Sequence, residues 1–188
     1  MNVLVAVGVV VAVVVVAIIV VYNALIGRRN AVDQGWHLVD IELARRHALV
    51  PNLVSVVQGY ATHEQATFER VTAARAAALA ATDDAAAREP AERALVGGLR
   101  ELFALAEAYP DLRAGEQFLA LQRELSDVED RIAVARRIYN ANVRAYNDAI
   151  QQFPGALFAS GGRFVAARFF EVDPVLRSGP PPSVASST

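Results

Sequence analysis

Cysteine and lysine are both missing from this chain of 188 residues; all 18 basic side chains are Arg. Without thiols there can be no disulfide, no thiolate metal ligand and no cysteine nucleophile. Histidine is scarce, with only His37, His47 and His63. His63-Glu64 opens like the zinc-binding helix signature, but Thr67 stands where the second His is required. His37 and His47 lie nearly three helical turns apart, too far to share an ion. Ser55, Ser126 and Ser160 have no motif that would supply a base and a group to orient it. Gly97-Gly98 and Gly161-Gly162 are too short to cradle a phosphate. A dominant charge is lacking too. With 18 basic and 20 acidic residues the net charge is −2, which argues against the basic face that nucleic-acid binding needs. The sequence therefore offers no catalytic, cofactor-binding or metal-binding residues. No cofactor is expected, and the expectation is a protein that is not an enzyme.

What the chain has in excess is apolar side chains, 54% against roughly 45–50% in soluble domains. The first 27 residues carry no charge, and 3–21 form an unbroken apolar run, rich in Val. A buried strand stops near 4–8 residues, so length favours a helix. At about 1.5 Å per residue the run covers roughly 28 Å, close to the ~30 Å hydrocarbon core. Its Val, Ile and Leu together favour insertion by roughly 4 kcal/mol or more. A cleaved signal peptide fits less well. It wants a basic residue ahead of a shorter apolar core and a small-residue cleavage site, whereas only Met1 and Asn2 come first and Tyr22-Asn23-Ala24-Leu25 follows. Arg28 and Arg29 flank the span, with Arg45 and Arg46 further on. The positive-inside rule then puts the N-terminus outside and the remaining chain in the cytoplasm. Arg28 and Arg29 are also placed to meet anionic headgroups.

Beyond residue 27 the composition favours helix, with Ala, Arg, Glu, Gln and Leu dominant. A first helix is expected over 25–49, with Val32, Trp36, Val39 and Leu43 at helical spacing. No proline separates it from the span, so one continuous rod is an open alternative. Pro51 is expected to end or kink it. A second helix is expected over 51–81, facing inward with Leu53, Val57, Tyr60, Phe68, Val71 and Ala78. Residues 82–90 read as a loop, although Ala85-Ala86-Ala87 could extend a helix. A third helix is expected over 91–108, with Leu95, Leu99, Leu102, Ala106 and Tyr109 on one face. In the fourth, Phe118, Leu121, Leu125, Val128, Ile132, Ala135, Tyr139, Asn142, Tyr146, Ala149 and Phe153 alternate spacings of 3 and 4. Such a seam calls for helical partners packed at about 20°.

The fold class expected is therefore all-α: an N-terminal transmembrane helix followed by a long-helix antiparallel four-helix bundle. The domains read as 1–27 span and flank, 28–153 bundle, 154–177 aromatic segment and 178–188 a Pro/Ser-rich tail without a core. Arg45-Arg46, Arg136-Arg137, Glu124 and Glu129-Asp130-Arg131 are expected on solvated helix faces. Asn142 interrupts the apolar seam, and the hydroxyls of Tyr139 and Tyr146 need partners when buried. Together these three form a candidate packing or specificity layer. An interior hydrogen-bond network with no partner role fits the same residues.

Two long collinear sets of residues resemble the LemA family. The first is Tyr22-Asn23-Ala24-Leu25, Arg29-Asn30, Trp36 and Arg45-Arg46, then Leu49-Val50-Pro51-Asn52-Leu53-Val54, Gly59-Tyr60-Ala61 and His63-Glu64. The second runs from Tyr109-Pro110-Asp111-Leu112 through Glu129-Asp130-Arg131-Ile132-Ala133, Tyr139-Asn140, Tyr146-Asn147 and Phe153-Pro154 to Phe169-Phe170-Glu171. The resemblance covers about 20–172. Ala48 departs from an expected acidic residue, and Gly35 sits where Ala is commoner. The resemblance implies a bacterial single-pass membrane protein with a helical-bundle domain and no assigned active site. The family's magnetosome member points by analogy to membrane organisation.

The function expected is a membrane-anchored scaffold in the bacterial cytoplasmic membrane. Its partners would be the lipid bilayer and further copies of itself, since confinement to two dimensions raises effective concentration. The rival reading is an adaptor for one other membrane or envelope protein, for example a protease or its substrate. An unrecognised hydrolase ranks last.

Overall fold

A computed structural model describes residues 2–81, 84–159 and 162–175. The described residues are helical apart from connections and one extended C-terminal segment. The elements are α1 (Asn2–Gln58), α2 (Gln65–Ala80), α3 (Ala85–Ala106), α4 (Pro110–Ala114), α5 (Glu116–Gln151) and α6 (Ala156–Ala159). The expected tail at 178–188 lies outside the described residues, as do Ser160 and Gly161.

The chain divides into two compact units. One comprises Met1–Val39 with Arg136–Phe169, the other Asp40–Ala135 with Phe170–Thr188. Helices α1 and α5 contribute to both.

In the first unit α1 and α5 run antiparallel. Arg28, Ala31 and Gly35 ascend α1 while their partners Ala145, Asn142 and Tyr139 descend α5. Gly35 permits this approach. A Cβ built there would stand 3.0 Å from the Tyr139 Cα and 3.1 Å from the Asn142 amide nitrogen. Leu25, Val32, Trp36 and Val39 face Tyr139, Val143, Tyr146 and Ile150 as the buried set of this unit. The apolar residues from Val3 to Val20 are exposed throughout, and α1 is the one helix among the described residues long and apolar enough to cross a membrane.

The second unit is the four-helix bundle. Asp40 and Arg46 of α1 meet Arg88 and Glu92 of α3 in the same order, so these helices run parallel. Arg70 and Val71 of α2 meet Glu101 and Gly98 of α3 in reverse order, so these run antiparallel. Arg46 of α1 meets Glu129 of α5. Leu43, Val57, Val71, Leu95, Leu99 and Leu102 are fully buried between them.

Several boundaries differ from the sequence expectation. Pro51 does not end a helix; α1 passes straight through it. Proline removes one N–H and orphans the carbonyl four residues back, here that of His47. The Arg75 Nε donates to that oxygen at 2.7 Å and takes the missing bond's place. The expected second helix is instead interrupted at 59–64, where the Gly59 N–H bonds Ser55 and those of Tyr60 and Ala61 both bond Val57. Tyr60 and His63 are consequently exposed in a loop, not on an inward face or a helix. The third helix starts at Ala85, not Ala91. In α5 Tyr146 keeps its expected buried place, but two other seam positions after Tyr139 shift by one residue. Val143 and Ile150 are buried where Asn142 and Ala149 were expected, and Phe153 is 83% exposed.

Candidate functional sites in the two units

The three seam residues Tyr139, Asn142 and Tyr146 come together in the first unit, and their polar ends are engaged within the chain. The Tyr139 hydroxyl donates to the Arg168 carbonyl at 2.8 Å, and the Tyr146 hydroxyl to the Val165 carbonyl at 3.1 Å. The Asn142 amide donates to the Ala31 carbonyl at 2.8 Å. Asn147, one residue beyond, both donates to the Ala167 carbonyl and accepts its N–H, each at 2.9 Å. The result is a clamp. Side chains of α5 read the backbone of the extended 163–169 segment, which has no sheet or helix of its own to satisfy its polar groups. Trp36 closes the layer against the Tyr139 ring, with centroids 5.4 Å apart. Burial pushes the Tyr146 phenol above its ordinary value; Arg29 opposes that shift and Asp33 reinforces it.

The flanking arginines separate in role. Arg28 reaches α5 and donates to the Ala145 carbonyl at 2.9 Å. Arg29 is exposed and lines an open cavity with Tyr22, Asp33 and Arg163.

The second unit holds a charged core that the sequence reading did not anticipate. Arg46 was expected on a solvated face, yet it is fully buried. One of its Nη atoms lies 2.5 Å from Glu92 and the other 3.0 Å from Glu129. His47 lies 2.9 Å from the second Glu92 oxygen, and the Val175 N–H donates to the second Glu129 oxygen at 3.2 Å. Glu129 is thus also corrected from solvated to buried, whereas Glu124, Asp130 and Arg131 are exposed. Arg45 pairs with Glu42 on the surface as expected of that neighbour.

A cation between two carboxylates survives burial only if its attraction and hydrogen bonds offset desolvation. Burial alone would raise the Glu92 carboxyl; the His47 hydrogen bond and the Arg46 charge outweigh it and hold Glu92 below its ordinary value. A signal for the missed cluster did exist. The inward positions of α1 after Leu43 continue at spacings of 3 and 4 through Val50, Leu53 and Val57, and that register lands on Arg46. An arginine on a seam is a buried-charge prediction.

Around this core the C-terminal segment is held as in the first unit, by side chains reading backbone. Arg93 donates to the Glu171 carbonyl and Arg100 to the Pro174 carbonyl. Phe170, Val172 and Val175 are buried beneath. The core is closed and structural in geometry. Among the described residues no three His, Asp or Glu side chains are grouped to hold a metal ion.

The LemA family model matches residues 35–184. A magnetosome protein, MamQ, of Magnetospirillum gryphiswaldense is 25% identical over 81% of this chain and 65% of its own length. A LemA protein of Metamycoplasma hominis is 27% identical over 70% of this chain and 60% of its own length. A second magnetosome protein, MamQ 2 of Paramagnetospirillum magneticum, is 33% identical over 40% of this chain. The chain therefore spans under two thirds of the length of these relatives, and none of their names is that of an enzyme. With the model covering most of the bundle and the strapped C-terminal segment, the chain belongs to the LemA family.

Proposed function

We propose that the protein is a membrane-anchored helical scaffold that self-associates on the bacterial membrane and organises that membrane or its proteins, without catalysing a reaction. One observation carries this reading. α1 is a single helix whose first third is apolar and wholly exposed, and whose remainder supplies inward faces to both units. An exposed apolar run of that length is costly in water and favourable in lipid. Two further points support it. The densest charge cluster is sealed in the core, where it serves packing and not a substrate. Two relatives bear the name of an organelle, the magnetosome, which fits work at a membrane.

Anchoring turns modest contacts between copies into effective ones by confining them to a plane. The test is the size of full-length protein in detergent and in lipid nanodiscs. Assemblies that grow with protein density support the scaffold; a strict monomer at high concentration sinks it. A stoichiometric second protein in a pull-down with the span intact would assign an adaptor instead. The flanking Arg28 and Arg29 favour a cytoplasmic bundle, and protease accessibility of tags on each terminus tests that sidedness.

A further inference from the structure

An open cavity of about 350 Å³ lies just beyond the end of the apolar run, lined by Tyr22, Ile26, Arg29, Asn30, Asp33, Arg163 and Phe164. The α1 residues among these follow one stripe, at successive turns. Residues carrying two guanidinium groups, one carboxylate and one amide therefore line a single space. Arg163 is fixed there by stacking over the Tyr22 ring, 5.4 Å from its centroid. Tyr22 is itself packed edge-on against Phe164 and Phe158, at 5.7 and 6.1 Å. The site is thus assembled, with its cation and aromatic wall already in place.

Depth decides what reaches it. The headgroup layer on each side of a bilayer is roughly 5–8 Å thick. Tyr22 and Ile26 fall within it when 3–21 fill the hydrocarbon. Arg29 begins about 12 Å and Asp33 about 18 Å beyond Val21 along the helix. Both side chains lean toward the helix N-terminus and hence back toward the lipid, and helix tilt lowers both, so a headgroup meets Arg29 first and Asp33 with its outermost group. Beside the cavity α6 presents Leu157, 66% exposed, next to Phe158. An exposed apolar residue at that level suits the acyl boundary and not bulk water.

Charge decides which headgroup. Two arginines complement a phosphate, with planar forks suited to its oxygens. Asp33 would repel a purely anionic headgroup, and with the amide oxygen of Asn30 it offers acceptors to a group carrying N–H donors. We infer that this cavity is a binding site for one phospholipid headgroup that joins a phosphate to a primary ammonium, as in an ethanolamine phospholipid. The phosphate lies between Arg29 and Arg163, and the ammonium on Asp33. A trimethylated ammonium has no N–H to give Asp33, and a glycerol headgroup has no cation. The inference rests on the membrane-anchored reading of α1.

The test uses full-length protein purified in mild detergent and exchanged, in separate arms, with phosphatidylethanolamine, phosphatidylcholine or phosphatidylglycerol of identical acyl chains. Retained lipid is counted by native mass spectrometry. One phosphatidylethanolamine per chain is expected, held about tenfold or more tightly than either other lipid. The exposed-residue variants R29Q and R163Q should each lower retention about tenfold, and D33N should erase the preference of ethanolamine over choline. Circular dichroism of each variant checks that the helices persist. Equal retention of the three lipids, a preference for phosphatidylglycerol, or retention untouched by R29Q and R163Q overturns the assignment. So does equal binding of soluble glycerophosphoethanolamine or inorganic phosphate, which would make the source a solute. Reconstitution separates the two readings. Protein that enters vesicles of all three lipids but keeps none of them preferentially on extraction refutes only the headgroup site; protein that enters none refutes the anchor.

Discussion

At the scale of single residues, Arg46 has the strongest claim on stability. It is a seam residue of α1 with a charge where its neighbours on the seam carry methyl groups, and it is shared by Glu92 and Glu129. Replacing it by Met fills much the same volume but leaves two carboxylates buried without their cation. Arg46→Met should cost about 3–5 kcal/mol in chemical denaturation. The triple change R46M/E92L/E129L should recover part of that loss, because the ions no longer have to be desolvated, while His47 and the Val175 N–H lose their acceptors. A single variant as stable as the parent would mean that the network contributes nothing to folding. Acid should expose the same network. The folded-state carboxyl of Glu92 sits below its ordinary value. The stability it contributes is therefore complete above that ordinary value and is lost as pH falls through it toward the lower, folded value. Glu92→Gln should be less stable at neutral pH and show a flatter acid limb. A variant whose acid limb runs parallel to the parent's would remove Glu92 as the linked group.

At the scale of the helix, two devices keep α1 continuous and closely packed. The first is the Pro51–Arg75 compensation, in which a side chain of α2 supplies the donor that proline lacks. Arg75→Gln should cost about 1–2 kcal/mol alone, and much less in a Pro51→Ala background, where the helix can make its own bond. Additive losses in that double-mutant cycle would show the two residues to be uncoupled. The second device is Gly35. Alanine there would press on the Tyr139 backbone and on the Asn142 amide that bonds Ala31. Gly35→Ala should lower stability by about 1–3 kcal/mol despite alanine's better helix propensity; a raised thermal midpoint would show that α1 and α5 shift apart at little cost. The helices themselves were largely legible in the sequence, because helix period and apolar run are local signals. Most of the length of α5 and the leucine face of α3 follow from pattern alone. What was illegible is non-local. Pro51 reads as a stop because the residue that rescues it lies on another helix. Glu129 reads as surface, and Glu92 carries no sign of burial, because nothing near either in the chain announces Arg46. The extended 163–175 segment reads as an aromatic tail because its order comes from side chains on α3 and α5 reading its backbone. The polar layer is the intermediate case: Tyr139, Asn142 and Tyr146 could be picked out as oddities on a seam, but their acceptors are backbone carbonyls of that same segment and of Ala31, which no pattern names.

At the scale of the molecule, the apolar run and the packed units are separable in energy though continuous in backbone. Residues 3–20 bury nothing against the rest of the chain, and the buried set begins only at Leu25. Folding of the units should therefore be indifferent to the span. A chain lacking residues 2–21 should keep its helices and unfold within a few degrees of the full-length protein, since no core contact is removed. Its location should change completely: full-length protein should partition into the detergent phase and the shortened chain into the aqueous phase. Self-association discriminates further. If confinement to a plane supplies the effective concentration, the shortened chain should be monomeric where the full-length protein in lipid forms assemblies. Assembly of the shortened chain at the same protein density would place the contacts in the units alone, and the anchor would then serve only to position a scaffold that forms without it. Collapse of the shortened chain into an unfolded or aggregated state would contradict the exposure of residues 3–20, because a stretch that touches nothing cannot be needed for the packing of what it does not touch.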